Sequence, residues 1–271
     1  MKIQNSDFQE ELEVAVEAAE TAGEIIGEYR EEKIEVKDTK TDETDIVTQA
    51  DEDAQEAIVE TIKQHYLEDN FLGEEDLTED NDSDRTWIID PIDGTFNFQK
   101  GHEYFCTSIA LEKDGETKVA AVYSPESGLN ELFYAAKGEG AYLREDGEHE
   151  KLGTSDQEQL TGGLLELTMI TRMSDDRWNN FHTIIAELRE REVRYLKQGC
   201  LVLSGCKVAQ GIFDGTIQYG WKWDFAAAKL IQKEAGGKVR HREKESGKLD
   251  ETVTSNSKIQ TQLEKLLDNS K

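Results

Sequence analysis

The segment Trp87–Phe98, with the sequence WIIDPIDGTFNF, restricts the fold of this chain more than any other. Its apolar residues predict a buried strand, yet Asp90 and Asp93 follow them directly. An unpaired carboxylate costs several kcal/mol when it is buried, or it becomes protonated. Because the segment contains neither lysine nor arginine, the two charges need another positive partner.

The oxygen atoms of this motif can converge on a metal ion. Pro91 stiffens the turn, so both aspartates and the Ile92 carbonyl can meet at the ligand distance that Mg²⁺ requires. Gly94 and Thr95 indicate the start of a helix, whose free N–H groups suit a phosphate. Metal and phosphate side by side indicate phosphoryl transfer. On this motif alone, a surface aspartate turn capped by the threonine remains an alternative.

Three further carboxylates lie where an apolar segment meets the next element. Glu74 follows the sequence FLG, Asp51 follows a short apolar strand, and Asp224 precedes an alanine-rich helix. Each residue taken alone is equally well explained as a solvated loop residue or a helix N-cap. Together with the aspartates of the first motif, they favour a metal centre.

Apolar periodicity predicts an α+β chain in which helices and strands alternate. The predicted helices are 8–29, 53–66, 176–191, 201–210 and 225–235, and the main predicted strands are 86–90, 107–125, 130–145 and 215–220. No linker divides the chain. We expect an N-terminal α+β half, residues 1–150, with most metal ligands, and a C-terminal α/β half, residues 151–271, with Asp224 and the substrate contacts. The two halves should pack as one unit.

The charge balance disfavours some partners. The chain has 59 acidic and 31 basic residues and a net charge of −28. Such a surface repels nucleic acid phosphates and anionic membranes, so we expect neither as a partner and disfavour an RNA-associated role. No apolar run approaches the ~20 residues of a membrane span, and the first residues are not signal-like, which predicts a cytoplasmic protein. The acidity also favours adaptation to high salt, although lysine outnumbers arginine.

The cysteines predict no covalent framework. Cys106, Cys200 and Cys206 are an odd number of cysteines without metal-type spacing, so the sequence indicates neither a disulfide scaffold nor a zinc site.

Several signatures resemble those of the inositol monophosphatase family. GEE at 73–75, WIIDPIDGTFNFQKG at 87–101 and WDFAAAKLIQKEAGG at 223–237 occur in the family's order and at similar separations, and VTQAD at 47–51 and KGEGAY at 137–142 also fit. The resemblance spans nearly the whole chain. It implies a layered αβαβα sandwich of the inositol monophosphatase and fructose-1,6-bisphosphatase type, a homodimer, and Mg²⁺-dependent, lithium-sensitive hydrolysis of phosphomonoesters.

The resemblance also assigns roles to individual residues. The implied metal ligands are Glu74, Asp90 and the Ile92 carbonyl for one Mg²⁺, Asp90, Asp93 and Asp224 for a second, and Glu75 for a third, weaker one. Water activation falls to Thr95 and Asp51. Phosphate binding falls to the N–H groups of Gly94 and Thr95.

Substrate contacts are less well defined by the resemblance. Asp93, Gly199 and Cys200 correspond to residues that contact substrate hydroxyls, but a cysteine at 200 is a departure because a thiol donates only weakly. An acidic residue grips the ring in inositol-selective relatives, and Gln218 is the nearest match when a one-residue gap is allowed. Lys222 could bind a second phosphate or lie on the surface. Inositol 1-phosphate is therefore the expected substrate, with fructose 1,6-bisphosphate and 3′-phosphoadenosine 5′-phosphate as alternatives.

Overall fold

The computed structural model describes residues 1–3, 6–31, 36–39, 46–168, 175–243 and 249–269. The helices are α1 (Gln9–Glu31), α2 (Gln49–Lys63), α3 (Thr95–Gln99), α4 (Asp175–Glu190), α5 (Leu201–Ala209), α6 (Lys222–Glu234) and α7 (Gln260–Asn269). The strands are β1 (Val36–Thr39), β2 (Ile46–Thr48), β3 (Asn70–Gly73), β4 (Thr78–Glu79), β5 (Arg85–Asp93), β6 (Cys106–Lys113), β7 (Glu116–Ser124), β8 (Glu131–Ala136), β9 (Ala141–Glu145), β10 (Glu148–Lys151), β11 (Leu164–Glu166), β12 (Arg194–Leu196), β13 (Gly215–Gly220), β14 (Lys238–Arg242) and β15 (Asp250–Ser255).

An eight-stranded sheet forms the first half of the fold, in the order β10-β9-β8-β7-β6-β5-β3-β4. Its strands β5 to β10 pair antiparallel, while β3 runs parallel to β5. The turn between β6 and β7 uses Asp114 and Gly115, both at positive φ, as a tight hairpin requires.

Helices α1 and α2 cover one face of this sheet, and α5 and α6 cover the other. Side chains alternate along β5, so Trp87 and Ile89 pack with Leu12 of α1 and Ile58 of α2. Ile88 points the opposite way and joins the core formed with α5 and α6. The near-continuous burial of β5 follows from this cover on both faces.

A five-stranded sheet follows, in the order β12-β11-β13-β15-β14. One face carries Ile217 and Val253, which pack with Leu188 of α4 and Leu263 of α7. Helix α5 lies on the other face, where Gln218 donates to the Leu201 carbonyl. The layers are therefore helix, sheet, helix, sheet and helix, which confirms the predicted αβαβα sandwich. A boundary between two halves at residue 150 stays a prediction.

Two helices begin earlier than predicted. Helix α2 begins at Gln49 rather than Asp53, which places Asp51 inside its first turn. Helix α6 begins at Lys222 rather than Phe225, because Trp221 is the extended N-cap residue. None of the helices described in the structure is long and apolar enough to cross a membrane.

Candidate active site

A bulge in β5 brings Asp90 and Asp93 to the same side of the sheet. Residues three apart on a regular strand point to opposite faces. Here Asp90 pairs with Ser108 and Asp93 with Cys106, so three steps along β5 match two steps along β6. The extra residue reverses the alternation, as a β-bulge does. The predicted turn at Pro91 is thus an irregularity within a strand that continues to Asp93.

Asp90 is the most unusual carboxylate in the described part of the chain. Its side chain is 1 % exposed, and neither carboxylate oxygen has a hydrogen-bond partner among the described residues. Burial raises its pKa well above the usual range, and the charges of Glu74, Asp93 and Asp224 raise it further. A buried carboxylate surrounded by other carboxylates needs a cation if it is to stay ionised.

Glu74 reaches the site from the neighbouring strand. Gly73 pairs in parallel with Ile89, and the Glu74 N–H donates to the Ile89 carbonyl at 3.2 Å. A carboxylate residue follows each of these two paired residues. Glu74 directly follows β3, and Asp90 follows Ile89 in β5. The following residue, Glu75, is held by Gln55 of α2, which accepts from its N–H at 3.2 Å and donates to its carbonyl at 2.9 Å.

Asp224 comes from the second half of the chain. It lies in the first turn of α6, where its carboxylate accepts a hydrogen bond from the backbone N–H of Trp221. Gly220 makes room for it, because a Cβ atom at that position would lie 2.3 Å from Asp224 Oδ2. Ligand atoms of Asp90, Asp93 and Asp224 all lie within 4.8 Å of one another.

Asp93 is held by the N-terminus of α5. Its Oδ2 accepts from the Val202 N–H at 2.6 Å and from the Cys200 thiol at 2.9 Å. Burial raises the pKa of Asp93 to about 7, although these two hydrogen bonds lower it. The thiol at 200 therefore contacts a predicted metal ligand directly, and its side chain is fully buried.

Thr95 connects the acidic cluster to α2. Its hydroxyl lies 3.0 Å from the Ile92 carbonyl oxygen and 3.5 Å from Asp51 Oδ1. Asp51 is fully buried in the first turn of α2. The positions of these three groups match the pairing that the resemblance implies, whereas their catalytic roles stay predictions.

Two glycines shape the space beside Thr95. Gly94 has φ +91°, and a Cβ atom there would lie 3.1 Å from the Tyr104 carbonyl oxygen and 3.2 Å from the Cβ of Cys200. Gly199 has φ +80° and abuts Asn97 of α3. The Asn97 amide donates to the Tyr104 and Gln198 carbonyls at 2.7 and 2.8 Å, which fixes the two glycine segments against each other.

Gln218 is bound to the backbone at the start of α5. Its side chain is 2 % exposed and donates to the Leu201 carbonyl at 2.8 Å. The Gln218 side chain therefore supports the start of α5, and its contact with substrate stays a prediction.

Some residues of the site escaped the sequence motifs. Gly220, the Val202 N–H and Cys106 each act on a carboxylate or thiol of the cluster. The glycine before WKWD was the only one with a sequence signal, since a glycine in a strand indicates close approach of another group.

The cluster fits a hard divalent cation. Several carboxylates converge, one of them buried without a partner, and oxygen ligands of this kind suit Mg²⁺. Comparison with known proteins shows to which family the chain belongs. The model of the inositol monophosphatase family matches residues 7–270. The chain belongs to the inositol monophosphatase family.

The relatives of this chain carry two kinds of name, SuhB and IMPase. Nus factor SuhB of Pasteurella multocida is 37% identical over 235 residues, which cover 84% of each chain. The IMPase of Thermotoga maritima is 28% identical, with a TM-score of 0.82 over 97% of this chain and 98% of the other. The extragenic suppressor protein suhB of Bartonella henselae is 28% identical, with a TM-score of 0.83 over 96% and 98%.

These names correct one expectation. The acidic composition was expected to exclude a nucleic-acid partner, but relatives 35% to 37% identical carry the name Nus factor SuhB. The expectation is wrong because net charge is a sum over the whole chain, and it leaves open what an individual patch of surface binds.

Proposed function

We propose that this protein is a Mg²⁺-dependent phosphomonoesterase that hydrolyses a small phosphorylated polyol, with inositol 1-phosphate as the best candidate. One observation carries the proposal: Asp90 is buried without a hydrogen-bond partner among the described residues and is surrounded by other carboxylates. Among the described residues no hydrogen-bond donor reaches either carboxylate oxygen of Asp90, so an external cation fits there.

The residues that would hold Mg²⁺ are Glu74, Asp90, the Ile92 carbonyl, Asp93 and Asp224, with Glu75 at a weaker third position. Bound there, the cation supplies positive charge that activates water and neutralises the phosphate and the leaving oxygen.

The chain's own groups would handle the proton and the phosphate. The Thr95 hydroxyl lies between Asp51 Oδ1 and the Ile92 carbonyl, so it can pass its own proton to the Asp51 carboxylate as it takes one from an attacking water. The N–H groups of Gly94 and Thr95 would hold phosphate oxygens. Glycine suits position 94 because its φ is +91° and because a Cβ atom there would crowd the Tyr104 carbonyl oxygen.

The surroundings of Lys222 favour a monophosphate over a bisphosphate. Its ammonium contacts Glu112 Oε2 at 2.6 Å, so the only basic residue beside the WKWD motif is already paired with a carboxylate. A second phosphate would have to compete with that pair. This supports inositol 1-phosphate over fructose 1,6-bisphosphate.

Phosphate release from a substrate panel tests the proposal. The panel contains inositol 1-phosphate, fructose 1,6-bisphosphate, 3′-phosphoadenosine 5′-phosphate and glycerol 2-phosphate, each with Mg²⁺ and with excess chelator. We expect the highest kcat/KM for inositol 1-phosphate and no turnover in chelator. Full activity in chelator would refute the metal mechanism, and a higher kcat/KM for the bisphosphate would refute the substrate choice.

A second function is favoured by the names of the relatives. We propose that the chain also takes part in transcription, because the Nus factors are more similar to it than the solved IMPases reported above. Transcription by a purified polymerase should change when the protein is added, equally for the wild type and for Asp224→Asn. No effect of either protein would refute this role. The cytoplasmic location, the homodimer and adaptation to high salt stay predictions.

A further inference from the structure

Two thiols lie directly beside the predicted Mg²⁺ site. The Sγ atoms of Cys106 and Cys200 are 3.7 Å apart, and Cys200 Sγ is 2.9 Å from Asp93 Oδ2. Ligand atoms of all three residues lie within 4.8 Å of one another. The residues come from three elements, the end of β5, the start of β6 and the N-terminus of α5.

The separation of the two sulfurs, which are in hydrogen-bond contact as thiols, also suits two ligands of one metal ion. Zn²⁺ binds thiolates at ~2.3 Å in tetrahedral geometry, which places two sulfur ligands about 3.8 Å apart. The observed 3.7 Å needs almost no change. A carboxylate oxygen at ~2.1 Å from the same ion would lie about 3.6 Å from each sulfur. Cys200 Sγ and Asp93 Oδ2, now 2.9 Å apart, would therefore separate by about 0.7 Å and lose their thiol hydrogen bond.

We propose that Asp93, Cys106 and Cys200 form a binding site for a thiophilic divalent cation, Zn²⁺ above all, that overlaps the predicted Mg²⁺ site through Asp93. Binding replaces two S–H bonds by two Zn–S bonds and releases both protons to solvent, without oxidation. Mg²⁺ prefers oxygen ligands and does not bind the thiolates. The fourth position is left for water or substrate.

Zn²⁺ at this site would inhibit the enzyme. Bound Zn²⁺ would withdraw the Asp93 carboxylate from the predicted Mg²⁺ site and would place a second cation next to the remaining carboxylates. This consequence rests on the proposed phosphatase function, whereas the site itself does not. Sequence spacing gave no indication of it, since the two cysteines are 94 residues apart and meet only through the pairing of β5 with β6 and the packing of α5.

Cobalt spectroscopy tests the site without using activity. The reduced protein is titrated with Co²⁺, whose thiolate complexes absorb in the near ultraviolet, and the ion is then displaced with Zn²⁺. We expect one equivalent of Co²⁺ to give the thiolate band, and Zn²⁺ to remove it. Cys106→Ser and Cys200→Ser should lose the band, while Cys206→Ser, which removes the buried cysteine outside the cluster, should keep it.

Affinity and proton release provide the second measurement. Loss of an outer partner of a metal ligand costs about 10–100-fold in affinity, so loss of a thiolate should weaken Zn²⁺ binding by more than about 100-fold. In the wild-type protein at pH 8, calorimetry in two buffers should show the release of both thiol protons per Zn²⁺. This measurement stands even if a cysteine variant fails to fold.

The outcomes separate the two proposals. Asp224→Asn should abolish Mg²⁺-dependent turnover and keep the Co²⁺ band, so a failed phosphatase assay leaves the thiol site testable. The site is overturned if wild-type protein shows no thiolate band with excess Co²⁺, if the band survives in both Cys106→Ser and Cys200→Ser, or if Zn²⁺ binding releases no protons.

Discussion

Two carboxylate groups are buried between the eight-stranded sheet and α5, and their surroundings are opposite. Glu131, at the start of β8, is bound by Lys207 of α5, whose ammonium lies 2.6 and 2.5 Å from its two oxygens. The same ammonium donates to Gln210 at 3.0 Å. Asp90, at the end of the apolar run of β5, has no such partner among the described residues. The described part of the chain therefore supplies a cation to Glu131 and none to Asp90.

The difference separates a structural carboxylate from one that binds an external ion. A buried ion pair with good geometry roughly offsets its own desolvation, so Glu131 and Lys207 need nothing from outside. A cluster of carboxylates without a cation is strained, and the strain is relieved when a metal binds. The predictions that follow change one group at a time on either side of this comparison.

The largest effect should come from removing a charge of the cluster. Asp224→Asn keeps the size of the side chain and an oxygen that accepts from the Trp221 N–H, so α6 should keep its cap. If Asp224 binds metal, kcat at saturating Mg²⁺ should fall by at least about 1,000-fold with the fold intact. Steady-state phosphate release measures this.

A carboxylate that only stabilises the fold provides the control. Asp214 accepts hydrogen bonds from the Ser155 hydroxyl and the Leu164 N–H, away from the cluster. Asp214→Asn should keep its turnover, whatever it does to stability. Near-normal turnover of Asp224→Asn would return that residue to a capping role.

Substitutions in the pair of Glu131 and Lys207 should change the stability of the protein and leave its dependence on Mg²⁺ unchanged. Lys207→Met leaves Glu131 buried without its cation, which should lower the free energy of unfolding by about 3–5 kcal/mol. The Mg²⁺ concentration for half-maximal activity should not change. Urea denaturation and a Mg²⁺ titration measure the two quantities.

The matched double variant is Glu131→Gln with Lys207→Met. It removes both charges, so most of the lost stability should return. If the double variant is as unstable as the single one, loss of the ammonium's contact with the Phe133 ring, rather than loss of the pair with Glu131, explains the lower stability.

The same contrast shows what sequence could predict. Apolar periodicity predicted α1, α2, α4, α5 and α6 and the hairpin strands β6 to β9, because each pattern follows from which face of an element is buried, but it missed α7. The motifs around Asp90, Asp93 and Asp224 were visible because the family keeps them close to chain signals such as Pro91 and Gly94. The pairing of Glu131 with Lys207 was not visible, since it depends on how α5 packs on the sheet.

Features that depend on register or on packing escaped for a physical reason. The bulge between Asp90 and Asp93 exists only relative to β6, and Pro91, its one sequence signal, was interpreted as a turn although a proline inside a sheet also indicates a bulge. The contact between Cys106 and Cys200 depends on the same register and on the position of α5. The orientation of Gln218 into the Leu201 carbonyl follows from β13 lying under α5. Such contacts join residues that are distant in the chain.

A third buried carboxylate, Glu166 at the end of β11, should lie between the two extremes. It accepts hydrogen bonds from the Thr168 hydroxyl and the Gln198 N–H, but neither donor is a cation. Burial raises the pKa of Glu166 to about 7 from 4.5. The native state therefore keeps a proton that the unfolded state loses, and stability falls as pH rises from 4.5 through 7.

Glu166→Gln measures this effect, because glutamine has the same shape and does not titrate. Between pH 4.5 and pH 8 the free energy of unfolding of the variant should rise relative to that of the wild type by up to about 3 kcal/mol, since each pKa unit corresponds to 1.36 kcal/mol. Urea denaturation at several pH values gives the difference. A difference independent of pH would mean that the carboxylate titrates in the same range folded and unfolded.

The smallest expected effect tests the comparison most directly, because it should reverse sign with metal. Asp90→Asn removes a buried carboxylate that has no hydrogen-bond partner among the described residues, so in excess chelator the variant should unfold at a higher urea concentration than the wild type. Mg²⁺ at 100 times its Kd should stabilise the wild type by about 2.7 kcal/mol and the variant by much less, which reverses the order. Lys207→Met serves as the control, since Mg²⁺ should stabilise it as much as it stabilises the wild type. Equal stabilisation of the wild type and Asp90→Asn would show that Mg²⁺ binds elsewhere, and the contrast between the two buried carboxylates would then have another cause.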